Sequence, residues 1–135
     1  MKKFEVLEHR ADLKIRAFGK TKKELFQNIL FGMSESLKPE TKNKDKVNRK
    51  IKITSPDLSS LLVDFLSEAL YLSQVNKETY FEAKFKKFSK IELESELIGQ
   101  KVERFGEDIK AVTYHGLDIH QKNDGIWEVT VLFDI

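Results

Sequence analysis

Cysteine is absent from the 135 residues. That single absence removes disulfides, thiolate zinc sites, iron–sulfur clusters and cysteine nucleophiles together. Proline occurs twice, and the six glycines are scattered, so no glycine-rich phosphate loop and no Gly-x-Ser-x-Gly elbow can be drawn. Arginine is scarce, 4 residues against 20 lysines, although arginine is the usual choice for bidentate phosphate recognition. Charge of one sign is lacking too. The 24 basic and 22 acidic residues leave +2, and no whole-molecule field demands a nucleic-acid partner. No apolar run approaches the roughly 18 residues of a membrane span. The start, MKKFEVLE, puts charges where a secretory leader needs an apolar stretch. The expectation is a cytoplasmic protein with no membrane partner.

What is present suffices for one core. Forty per cent of the residues are hydrophobic, with ten Phe among them, and the length suits one domain over 1–135 rather than two marginal ones. Phe4–Glu8 and Leu13–Gly19 read as short strands; in the second, Leu13, Ile15 and Ala17 share one face and Asp12, Lys14 and Arg16 the other. Thr21 to Glu24 is a capping-box pattern, and a helix with the stripe Leu25, Phe26, Ile29, Leu30, Met33 follows. Residues 38–52 carry seven basic side chains. They predict a loop, then a strand through Val47, Ile51 and Ile53, with a solvated loop and exposed strand face or an RNA- or partner-binding loop as the two readings. A second helix is expected over Leu58–Asn76, capped by Asp57 or Ser55, with Leu58, Leu61, Leu62, Phe65, Ala69, Leu72 and Val75 inward. Two alternating segments come next, Phe81, Ala83 and Phe85 on one face of the first, Ile91, Leu93 and Leu97 on one face of the second. Lysines and glutamates occupy their opposite faces, as in an antiparallel pair. The tail predicts a hairpin of Ala111–His120 and Ile126–Ile135 about Asn123-Asp124-Gly125, with a bulge at Gly116. The sum is an α+β fold of two layers, two helices on a mainly antiparallel sheet.

Candidate ligands are few. On an extended strand, His115 and His120 would stand roughly 16 Å apart, too far to share a metal. Glu92, Glu94 and Glu96 alternate like a solvated strand face. Asp134 and Ile135 are more informative, because a side-chain carboxylate sits beside the C-terminal carboxylate while the sequence still reads as strand. Such an end is expected to be held in the fold, and Asp12 could add a third oxygen. An all-oxygen set suits Ca²⁺, Mg²⁺ or Mn²⁺ rather than zinc.

Five segments taken together, His9-Arg-Ala-Asp12-Leu-Lys-Ile15, Glu24 to Met33, Leu61 to Glu68, Ile109-Lys-Ala-Val-Thr-Tyr-His-Gly-Leu117 and Trp127 to Asp134-Ile135, resemble the archease family. The likeness runs in the same order from end to end, and is loose over 38–57 and 76–108. Leu13-Lys14 and Phe65 depart mildly from the family's usual residues, at no proposed ligand.

The resemblance implies a non-catalytic accessory to an RtcB-type RNA ligase, which joins RNA ends with GTP and Mn²⁺ in tRNA splicing. The accessory would speed formation of the ligase–guanylate intermediate and restore multiple turnover, meeting RNA only through the ligase complex. It implies a divalent metal, foremost calcium, with Mg or Mn as alternatives, on Asp12, Asp134 and Ile135. The family's basic residue falls on Lys110, and His9 and Asp64 join it as candidate ligase-activation residues. Two other classes compete: a metal-dependent phosphoesterase, for which no general base is evident, and an RNA-binding or chaperone-like module using the basic loop and a Phe-rich sheet.

Overall fold

The structure is a computed structural model that describes residues 1–41 and 45–135; the side chains of Glu8 and His9 also lie outside the description. In chain order the elements are β1 (Phe4–His9), β2 (Asp12–Gly19), α1 (Lys22–Ser36), β3 (Pro39–Glu40), β4 (Lys46–Thr54), α2 (Leu58–Asn76), β5 (Glu78–Phe88), β6 (Glu92–Lys101), β7 (Arg104–Phe105), β8 (Ala111–Val112), β9 (His120–Gln121) and β10 (Trp127–Asp134). The fold is α+β, and every strand pairing described is antiparallel. The strands divide into three sheets. One runs β1-β2-β10-β8 with β9 also on β10, a second runs β4-β6-β5, and β3 pairs with β7 alone.

Local chemistry sets both helices. The Thr21 hydroxyl accepts from the Glu24 N–H at 3.1 Å, and the Glu24 carboxylate accepts in return from the Lys20 N–H at 3.0 Å. The first bond satisfies an orphan donor of the helix start, and the second ties the residue before the cap to the first turn. Asp57 caps α2 by accepting from the Ser60 N–H at 2.8 Å, and that bond holds its carboxyl below the usual range. Helix α1 packs against both β2 and β5, while α2 packs on β4, β5, β6 and β8. Between them lies a ring cluster: Phe26 meets Phe65 at 5.7 Å and Phe88 at 4.9 Å between centroids, and Phe65 meets Phe85 at 5.7 Å. Phe26 and Phe65 are fully buried, and Phe85 and Phe88 pack against them partly buried.

Several expected positions move. Phe81 faces out, because a register shift between Tyr80 and Glu82 inverts the strand's parity and turns Tyr80 inward. Ile91 is exposed in the turn before β6, where its N–H and that of Glu92 bond to the Ser89 hydroxyl. Val75 is exposed beside Tyr71 on α2, whereas Leu66 and Leu70 are buried; a helix apolar on most sides does not reveal its inner face by spacing. Pro39 and Glu40, expected in a loop, pair with Phe105 and Arg104. Lys42 and Lys44 of the basic run lie outside the described residues.

Gly99, in the middle strand of the second sheet, faces the carbonyl oxygen of Thr79 so closely that a Cβ would collide with it. The obstacle is backbone, which cannot yield without breaking the β5–β6 ladder. Gly99→Ala should therefore cost about 3 kcal/mol, at the upper end for overpacking. Urea unfolding would read this as a midpoint lower by about 1–2 M; an unchanged midpoint would contradict the close approach.

A cleft beside paired aspartates

The outer face of the first sheet is built by strict alternation. Leu13, Ile15 and Ala17 of β2 and Val129, Val131 and Phe133 of β10 are buried, so Asp12, Lys14 and Arg16, with Thr130, Leu132 and Asp134, point the other way. The β2–β10 register sets Asp134 directly opposite Asp12, Leu132 opposite Lys14 and Thr130 opposite Arg16. Opposed residues on one face hold their Cβ atoms about 4.5–5.5 Å apart, and like charges so placed repel. A hard divalent cation would turn that repulsion into ligation by two carboxylates. Among the described residues no three His, Cys, Asp or Glu side chains gather as a metal cluster. The pair of aspartates thus leaves most of a cation's coordination sphere to other donors.

Residues 134–135 are held from the far side as well. The Lys110 N–H donates to the Asp134 carbonyl at 2.7 Å, and Ala111 pairs with Asp134. The Ile135 side chain packs on the core. Lys110 itself is exposed and follows the buried Ile109, whose carbonyl accepts from the Gln74 side chain at 2.8 Å. The sheet thus brings Lys110 next to the Asp134 backbone.

The predicted strand over 111–120 is instead two short strands with an excursion between them. Thr113 still bonds to the Leu132 carbonyl through its N–H and its hydroxyl, each at 3.0 Å. The chain then leaves the sheet in a turn closed by Leu117 N–H to Tyr114 C=O at 3.1 Å, with Gly116 at φ +64°. That backbone suits glycine because it carries no Cβ. The excursion raises His115 and Gly116 as one wall of a cleft of about 460 Å³ whose floor is Asp12, Lys14, Arg16, Thr130 and Leu132, with Leu7 at the edge. Tyr114 is exposed. Its hydroxyl donates to Asp64 at 3.4 Å, and Ser55 donates to the other Asp64 oxygen at 2.6 Å. Desolvation, then the Asp64 charge, raises the Tyr114 phenol above its ordinary value. Asp64 is therefore half-buried and tied to the excursion, and it does not line the cleft. His9 stands opposite Leu13 in β1, its side chain outside the description.

Lys14 and Arg16 had a legible signal, since their parity matches Asp12. His115 had none. On a continuous strand it would be an ordinary residue, and only the excursion carries it to the cleft. His120 goes elsewhere, between Asp118 at 3.2 Å and Glu128 at 3.1 Å.

The Lys–Glu face of the second sheet is a charge ladder. Glu96 stands between Lys50 and Lys84, and Glu94 between Lys52 at 3.8 Å and Lys87 at 4.0 Å. Each of these glutamates thus lies between two lysines, and opposite charges paired across strands solvate the face.

Residues 4–135 match the model of the Archease protein family (MTH1598/TM1083). Relatives named Protein archease include one from Methanosarcina barkeri, 37% identical over 142 residues and covering 99% of this chain and 97% of its own. Another from Pyrococcus abyssi is 31% identical with complete coverage of both chains. Among solved structures, Methanobacterium thermoautotrophicum protein 1598 superposes with a TM-score of 0.78 at 28% identity, covering 100% of each chain. The archease and possible chaperone from Thermotoga maritima gives 0.65 at 18% identity over 97% of this chain and 96% of that one, a likeness of fold.

Proposed function

Because this chain belongs to the archease family, we propose that it is a non-catalytic, metal-binding activator of an RtcB-type tRNA-splicing RNA ligase. The observation that carries the reading is the register pairing of Asp12 with Asp134, in a chain with no cysteine and no evident nucleophile of its own. The ion, calcium first and magnesium or manganese as alternatives, is held by the two aspartates and the carboxylate at Ile135. A hard cation there adds positive charge that can orient and neutralise phosphates during guanylylation. Lys110 adds a further charge near that end, and Asp64 steadies the wall of the cleft through Tyr114.

The guanylylated residue belongs to the ligase, so the expected effect is on the ligase's rate. Adding the purified protein to a cognate ligase with GTP and Mn²⁺ should accelerate formation of the ligase–guanylate and convert single-turnover joining to multiple turnover. Lys110→Ala should retain metal binding and weaken that acceleration. An unaccelerated ligase would overturn the reading. Hydrolysis of cyclic-phosphate RNA by the protein alone would replace it with the phosphoesterase reading. No helix among the described residues is long and apolar enough to cross a membrane.

A further inference from the structure

We propose that the open edge of β4 binds an extended segment of a partner protein, one that alternates acidic and apolar residues and joins the second sheet as an antiparallel fourth strand. The two edges of that sheet are finished differently. At the β5 edge the Gln27 side chain of α1 stands in for a strand: its amide donates to the Phe81 carbonyl at 2.9 Å and accepts from the Ala83 N–H. At the opposite edge, among the described residues, β4 pairs with β6 alone along its nine residues.

The register shows which main-chain groups lie open there. The Ser55 N–H donates to the Ile91 carbonyl at 2.8 Å. By the alternation of an antiparallel ladder, Ile53, Ile51 and Arg49 then also exchange bonds with β6. Asn48, Lys50 and Lys52 lie between them and aim their N–H and C=O groups away from β6. Strand addition draws its hydrogen bonds from such groups.

The side chains of the two faces select the peptide. On the outer face one row of the charge ladder runs Lys84, Glu96, Lys50, and at β4 it ends on lysine. Lys52 meets Glu94 at 3.8 Å and keeps 69% of its side chain exposed. A carboxylate opposite Lys50 or Lys52 on an added strand continues the alternation of sign. The inner side differs. There β4 and α2 flank a groove of two adjoining cavities, about 530 and 410 Å³, which share Lys52, Ile53 and Glu68. Ile53 and Leu72 give the larger cavity apolar surface, and Asp64 joins Glu68 in the smaller. Acidic side chains are therefore repelled from the inner face and met by lysine on the outer one, which fixes the phase of the peptide. A second copy of this chain does not fit the pattern. Antiparallel self-pairing centred on Lys50 sets lysine against lysine.

Fluorescence anisotropy of a labelled heptapeptide alternating Glu and Val, titrated with the full chain, tests this. The expected result is saturable binding, with no uptake of the corresponding Lys–Val peptide. Methylating the glutamate amide nitrogens, which face β4, should abolish binding, whereas methylating the valine nitrogens, which face solvent, should not. Lys50→Gln and Lys52→Gln should each weaken binding roughly threefold, the loss of one cross-strand charge pair. Hydrogen exchange gives a residue-level reading. The amides of Asn48, Lys50 and Lys52 should exchange readily in the free protein and slow when the peptide is bound, while those of Arg49, Ile51 and Ile53 are slow in both. No saturable uptake up to the solubility limit of the peptide, or equal uptake of the Lys–Val or glutamate-methylated peptide, would overturn the proposal. So would slow exchange of Asn48, Lys50 and Lys52 in the free protein, since the edge would then already be covered. Protection that appears only as protein concentration rises would assign the edge to a second copy instead, and uptake of an RNA oligomer in place of the peptide would assign its lysines to a polyanion. Each of these results leaves the metal reading untouched.

Discussion

Asp134→Asn should lower divalent-metal affinity about a hundredfold, in a class of site whose affinity is set by ligand charge. The fold should survive. Asp134 is exposed at the end of β10, and β10 is held there by Phe133 opposite Leu13 on one side and Val112 on the other. The sign of the stability change distinguishes this substitution from ordinary damage. In chelator, the native protein keeps two like charges opposed across the β2–β10 ladder, and removing one should raise stability by about 0.2–1 kcal/mol. In saturating metal the order reverses, because ligand bound at a hundred times its dissociation constant stabilises the folded state by about 2.7 kcal/mol, and the variant forfeits most of that. Thermal melts of both proteins with and without metal therefore cross over. A glycine added after Ile135 displaces the adjacent carboxylate without touching a side chain, and it should reproduce the loss of affinity without the gain in chelator. Both variants should bind the ligase and fail to accelerate guanylylation. Full acceleration by both would separate the ion from the function.

How much of this was legible depends on whether the information was local. The α1 cap needs only Thr21 and Glu24, and the Asp57 cap and the bounds of α2 need only the residues around them, so both helices could be read directly. The alternation of β2 and β10 was equally clear, and with it the parity that places Asp12, Lys14 and Arg16 on one face. The pairing of Asp12 with Asp134, 122 positions apart in the chain, could not come from alternation. It came from likeness to a family, and the register agrees with it. What failed was decided by tertiary contact. The two register shifts in β5 follow from its fit to β6, where Gly99 lets the Thr79 carbonyl approach. No alternation in Phe81, Ala83 and Phe85 announces them. The excursion after Thr113 had one local mark, Gly116, which reads equally as a bulge or a turn. Its outcome was settled by Leu117 and Ile119 packing on the core and by Tyr114 reaching Asp64. The division of the strands into three sheets is likewise invisible to any window of sequence, since Pro39 meets Phe105 and Lys46 meets Gln100 across more than fifty residues.

Glu78→Ala should remove about 3 kcal/mol of stability, the cost of breaking a buried ion pair while leaving its partners in place. For a domain of this length that corresponds to a fall of about 10 °C in Tm. The Glu78 side chain is wholly buried at the start of β5. Arg49 of β4 grips it through Nε at 2.9 Å and Nη2 at 2.8 Å, the buried Tyr80 donates its hydroxyl at 2.7 Å, and Lys101 of β6 lies at 3.4 Å. One carboxylate thus ties together all three strands of the second sheet, and alanine leaves the Tyr80 hydroxyl and an arginine without their acceptor. Glu78→Gln keeps the shape and one acceptor, so it should cost less. It also isolates the charge. The Arg49 guanidinium holds the Glu78 carboxyl below its ordinary value of 4.5, against burial, which pushes it up, and with help from Tyr80 and Lys101. A depressed carboxylate stabilises the fold fully above the unfolded value and loses that contribution as pH falls through the folded one. The gap in stability between the native protein and Glu78→Gln should accordingly be constant near neutrality and shrink once the pH drops below about 4.5. A gap that stayed constant from pH 7 to about pH 3 would mean that the charge on Glu78 contributes nothing and that its packing alone holds the three strands.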